Sequence, residues 1–213
     1  MELGEWGLLV VDLQRYYVEP QASFVRFFEA IHPGASHYIS QRVHGLLVPR
    51  LTQVVRRTRE LGRPIIYLRL CGLREDRTDL HRHFLKCYRE AVEMGFPALY
   101  PLASEPLADV LPEVAPQPGD HVLDKTTYSG FTSSSIESLL QELKLQRLVM
   151  TGLATSQCVE TTARDASDRG FGILHLEDCQ ADYHDISHRA SLFASRSVCG
   201  GHVWGSQDFL GSL

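Results

Sequence analysis

The strongest constraint on how this chain can fold is a pattern that recurs along it. A short, continuous apolar run stops at a charged residue or glycine and gives way to helical spacing. Gly7-Leu8-Leu9-Val10-Val11-Asp12 is the first such run, and residues 63–70, 119–125 and 147–151 repeat it, with shorter versions at 172–176 and 202–204. A strand wetted on one face alternates polar with apolar residues, so an unbroken apolar run predicts a strand covered on both faces, as in parallel sheets. Between the runs, Val43, Leu46, Leu47, Leu51, Val54, Val55 and Leu61 recur at three- and four-residue spacing. They predict a helix over 39–61, distorted at Pro49 and stopped by Gly62. Further helices are expected near 80–94, over 134–143 behind a Thr132 or Ser133 cap, over 156–169 ending at Gly170, and over 185–198. The aromatic-rich residues 13–33 read as a loop followed by a short helical turn. The sum is an α/β fold: a three-layer, doubly wound sheet of about six mostly parallel strands with helices on both faces. Residues 1–213 are expected to form a single domain, with an extended loop and helix segment at 71–118.

Composition narrows the function. With 44% hydrophobic and 22% charged residues the chain has the make-up of a soluble globular protein, and a net charge of -5 leaves no basic footprint for nucleic acid. No apolar run approaches the roughly 20 residues that span a bilayer, and the acidic N-terminus is unlike a signal peptide. No membrane partner and a cytoplasmic location are expected, with a small molecule as substrate. Cys71, Cys87, Cys158, Cys179 and Cys199 are odd in number and widely spaced, which suggests free thiols rather than a disulfide framework or zinc site.

In doubly wound sheets ligands bind beyond the carboxyl ends of the strands. That rule gathers Asp12 after the first strand, Lys125 after the third and Cys158 just past the fourth. A thiol at the start of a helix is a candidate nucleophile, because the positive end of the helix dipole can lower its pKa. A carboxylate can take its proton and later return it to a leaving amine, and an ammonium can hold that carboxylate charged and oriented. Backbone amides at the turn can receive the oxygen of a tetrahedral intermediate. Cys158 alone would fit a core residue, and Asp12 or Lys125 alone is more often a solvated or ion-paired loop residue than a catalyst. Tyr16, Tyr128 and Phe131 follow the strands bearing Asp12 and Lys125 and are candidate pocket residues. Arg69 could meet a substrate carboxylate or pair on the surface, and Gln14 could support the carboxylate or cap its loop.

Val11-Asp12-Leu13-Gln14, Asp124-Lys125 and Thr151-Gly152-Leu153-Ala154-Thr155-Ser156-Gln157-Cys158-Val159 resemble the motifs of the isochorismatase-like cysteine hydrolases, a family that includes nicotinamidases, N-carbamoylsarcosine amidohydrolase, ureidoacrylate hydrolases and biuret hydrolases. The resemblance implies a catalytic triad of Asp12, Lys125 and Cys158, and an oxyanion hole from the amides of Ala154 and Cys158. It also implies a cis peptide between Leu153 and Ala154, and a homo-oligomer, dimer or tetramer. The implied activity is hydrolysis of a C–N bond in a small amide, carbamoyl or ureido compound through a thioester, without a cofactor. The alternative is a non-catalytic module for assembly or ligand binding, with residues 71–118 occluding the pocket. Nicotinamidases carry a metal-binding Asp-x-His directly after the second strand. Here Arg69-Leu70-Cys71-Gly72 stands in that place, so no metal is expected, and Asp79, His81 and His83 read as a solvated helical face.

Overall fold

The structure is a computed structural model that describes residues 3–213. Six strands, β1 (Trp6–Val11), β2 (Ile65–Leu70), β3 (His121–Lys125), β4 (Arg147–Leu153), β5 (Gly172–Ala181) and β6 (His202–Trp204), form one sheet in the order β3-β2-β1-β4-β5-β6. Every pairing is parallel. The apolar runs behave as their composition requires: all of β1 is buried, as is nearly all of β2 and β4. Alternate residues of one strand serve two cores. Leu8 and Val10 face one side with Ile65 and Tyr67, while Leu9 and Val11 face the other with Ile66 and Leu68.

The first side is covered by α1 (Ser23–Ile31), α2 (His37–Arg42), α3 (Val48–Glu60), α4 (Arg82–Glu93) and the C-terminal α9 (Ser206–Gly211). The second is covered by α6 (Ile136–Glu142) and α7 (Glu160–Asp168), with the short α5 (Gly130–Ser133) ahead of them and α8 (Asp185–Val198) beside α7. The order of strands reverses between β1 and β4, so the crevice outside their carboxyl ends is where such a sheet accepts a ligand.

The departures from expectation are local. The helix over 39–61 runs from 37 to 60 but widens into a π turn at Val43–Leu47, just ahead of Pro49, whose missing N–H cannot serve an α-helical ladder. The helix expected over 134–143 is α6, from 136 to 142, and the Thr132–Ser133 stretch expected to cap it lies instead in the separate short helix α5. Residues 13–33 contain a nine-residue helix rather than a short turn, because Phe24, Val25 and Phe27 give α1 a buried face. β5 continues to Ala181, past the expected 176, and its register against β4 shifts between Met150 and Gly152. Segment 71–118 holds α4 and two short 3-10 turns, as its mixed composition suggests.

Candidate active site

Gly152 sets the geometry at the switch point. It has φ +104°, and a Cβ there would lie 2.0 Å from the Val11 carbonyl oxygen, so only glycine lets β4 pass this close to the end of β1. Asp12 follows Val11 directly, itself at φ 47°, with its amide donating to the Leu68 carbonyl at 2.8 Å. That turn aims its carboxylate across the strand ends at Lys125, the last residue of β3. Lys125 Nζ donates to Asp12 Oδ2 at 2.8 Å and to the Thr127 carbonyl at 2.9 Å, and neither charged side chain is exposed by more than 1%. The second carboxylate oxygen, Asp12 Oδ1, is buried and has no hydrogen-bond partner among the described residues. An unpaired buried acceptor is costly, so its retention calls for an explanation.

Cys158 lies against this pair, buried, and its thiol interacts with both partners. Burial pushes the Cys158 pKa up and the Asp12 carboxylate pushes it further, with Lys125 opposing. This corrects the expectation that the helix start favours thiolate: desolvation and an adjacent anion outweigh a dipole whose worth is roughly 1 kcal/mol. Burial likewise raises Asp12, against the pull of Lys125. Burial opposes the Lys125 charge, but Asp12 and Cys158 overcome it and its pKa rises. Burial and the neighbouring carboxylate thus both oppose a resting thiolate at Cys158.

The nucleophile turn, Thr155–Val159, is a π turn. Its leading carbonyl, that of Ala154, accepts from the amides of Gln157 at 3.0 Å and Val159 at 3.3 Å, which flank Cys158. Asp182, one residue past β5, takes the Ser156 amide on Oδ2 at 2.6 Å. Thr155 Oγ1 bonds the Ala181 carbonyl and His188 Nδ1, and Arg42 meets the far His188 nitrogen at 2.9 Å. No cis peptide occurs among the described residues, so the bond expected between Leu153 and Ala154 is trans.

Above Cys158 opens a cavity of about 320 Å³ with Leu153, Ala154 and Gln157 at its base. Its wall is aromatic. Tyr17, Phe24 and Phe28 come from the 13–33 region, Phe84 and Tyr100 from segment 71–118, Tyr128 from beyond β3, and Tyr183 from beyond β5. The rings contact one another, with Phe84 and Tyr128 centroids 4.4 Å apart and Phe24 and Tyr17 4.8 Å apart. Segment 71–118 thus walls the cavity, and Cys158 still lines it.

Compared with known families, residues 7–208 match the isochorismatase domain. The chain belongs to the isochorismatase family. Ureidoacrylate amidohydrolase RutB of Variovorax paradoxus (strain S110) is 46% identical over 87 residues, which is 41% of this chain and 33% of that protein. Maleamate amidohydrolase of Pseudomonas putida is 38% identical over 95 residues, 45% of each chain. The matched stretches thus span a third to a half of these curated relatives. A crystal structure of an isochorismatase family protein from Desulfovibrio vulgaris superposes with a TM-score of 0.77 at 17% identity, covering 98% of this chain and 97% of that one, and shares the fold.

Within this isochorismatase fold the structure brings Asp12, Lys125, Ala154 and Cys158 together and disperses most of the expected pocket residues. Only Tyr128 lines the cavity. Gln14 is buried behind Asp12, donating to the Ala108 carbonyl at 2.7 Å and accepting the Leu70 amide at 2.8 Å. Tyr16 is also buried, its hydroxyl on the Leu70 carbonyl at 3.0 Å. Arg69 points away from the cavity and pairs with Asp124 and Asp109, since its position on β2 places it on the opposite side of the strand from Leu70. Phe131 packs on the second core beneath the Arg169 guanidinium. Asp79 accepts the Leu73 and Arg74 amides, His81 Nδ1 caps α4, and His83 neighbours Cys87; no group of three or more ligating side chains occurs among the described residues. Strand-end reasoning would have found Asp182 had the full length of β5 been read. The ring-rich 16–28 stretch was the only sequence signal for Tyr17, Phe24 and Phe28.

Proposed function

We propose that this chain is a cysteine amidohydrolase that cleaves a C–N bond of a small amide, carbamoyl or ureido compound. The observation that carries the reading is the buried Lys125–Asp12 pair, which interacts with a Cys158 thiol that itself lines the cavity. Lys125 holds Asp12 ionised and oriented. Asp12 takes the thiol proton as sulfur attacks the carbonyl carbon, and the Ala154 and Cys158 amides receive the developing oxyanion. The carboxylic acid then returns the proton to the departing nitrogen, which leaves as ammonia or an amine and the acyl group as a thioester. Water, deprotonated by Asp12, attacks that thioester; the acid is released and the thiol is restored. A raised Asp12 pKa suits this exchange, because it narrows the gap between base and thiol. The names of the curated relatives, amidohydrolases of ureidoacrylate and maleamate, support the same chemistry.

Mass spectrometry of the protein quenched during turnover of a slow amide should find an acyl adduct on Cys158. Turnover with the adduct on another residue would overturn the assignment. The reading includes a single domain that works in the cytoplasm as a homo-oligomer. Ile186 and Phe193, exposed and seven residues apart on α8, support association, and sedimentation would measure it. No helix among the described residues is long and apolar enough to cross a membrane.

A further inference from the structure

The charges around the cavity are unevenly placed. Of the residues that line it, none is a lysine or arginine. Lys125 lies behind Cys158, wholly buried and committed to Asp12 and the Thr127 carbonyl. The only buried formal charge on the lining is negative, that of Asp182, whose oxygens are taken by the Ser156 and Tyr183 amides. The three lining histidines, His32, His83 and His184, are all exposed and sit at the mouth. Between mouth and thiol the lining is mostly aromatic rings, with Ser36, Ser156, Gln157 and Ser187 as its half-buried neutral polar side chains.

A carboxylate carried into this space would shed its water and find an anion, ring faces and a few neutral polar groups, with no lysine or arginine in the lining to replace that water. A flat, uncharged group would meet the rings at little desolvation cost and gain contact with several of them. We propose that the cavity selects an uncharged amide or ureide with a flat apolar body and discriminates against substrates that bear a carboxylate, unlike the maleamate and ureidoacrylate named for its curated relatives. The proposal rests on the hydrolase reading for which bond is cut, but the selection by charge stands on the lining alone.

Maleamide and maleamate are close in shape and differ in charge, and benzamide offers a flat neutral ring. Binding of all three to the full chain carrying Cys158→Ala, measured by calorimetry, should favour benzamide and maleamide over maleamate by about 100-fold or more. Ammonia release by the unmodified protein should follow the same order in kcat/KM. Maleamate bound as well as maleamide, or benzamide not bound at all, overturns the proposal. Selective binding with no ammonia released from any of the three would leave the charge selection standing and sink the hydrolase reading instead. Phe28→Lys places a cation on the half-buried wall and should narrow the maleamide to maleamate ratio at least tenfold; an unchanged ratio in a folded variant counts against the proposal.

Discussion

At the cavity floor, three side chains from three different strand ends meet in a buried network, whereas the wall is assembled from rings on segments outside the sheet. The floor depends on register. Asp12 faces Lys125 because β1, β2 and β3 are paired in parallel, Leu70 standing opposite Lys125, and because Gly152 lets β4 close on Val11. The wall depends on packing between neighbouring rings, which conservative substitution alters by degrees. One region is therefore brittle and the other adjustable.

Substitutions at the floor and at the wall test this contrast. Cys158→Ala should lower kcat/KM by about 10⁴-fold or more with the circular dichroism spectrum unchanged; retained turnover would remove the floor from the chemistry altogether. Lys125→Met leaves Asp12 buried without its cation and should cost about 3–5 kcal/mol in denaturant unfolding. It should also move the acid limb of any surviving activity to higher pH, since the influence that lowers the Asp12 pKa is gone. Gly152→Ala forces a Cβ into the Val11 backbone at positive φ, and a loss of about 3 kcal/mol is expected; a neutral result would show the floor to be less rigid than its contacts imply.

On β5, His175 is held by Ser195 and Gln180, and burial lowers its pKa from 6.5 to about 4. The unfolded chain binds this proton at higher pH than the folded one does. Stability should therefore fall as pH drops from about 6.5 toward 4, by up to about 3 kcal/mol from this group. A His175→Gln variant should show a flatter dependence across that window in urea titrations. The smallest effect is expected at the wall. Phe84→Leu should cost about 1 kcal/mol or less of stability and raise KM a few-fold with kcat nearly unchanged. A large fall in kcat there would mean that the wall takes part in positioning the reacting atoms.

The difference between floor and wall is also a difference in legibility. Asp12, Lys125 and Cys158 could be gathered from one dimension because each closes or follows an apolar run, and parallel strands deliver their carboxyl ends to one edge. Tyr17, Phe24, Phe28, Phe84, Tyr100 and Tyr183 carry no such mark. An aromatic residue in a connecting segment has the same local pattern whether its ring fills a core or lines a cavity. Tyr16 and Tyr17 make the point: adjacent in the chain, the first is sealed behind the site on the Leu70 carbonyl and the second faces the cavity. Arg69 misled for a related reason, since a strand end supplies two faces and only one of them looks toward the ligand.

The sequence alone determined the layering, the parallel sheet and the three strand ends where charge and thiol collect, because these follow from the period of apolar residues and from where each run stops. Tertiary structure decided how the thiol is held, which oxygen of Asp12 stays free, and what the cavity can admit. Those properties arise from burial and from the company of groups distant in the chain. Desolvation, rather than the helix start, therefore governs the state of Cys158.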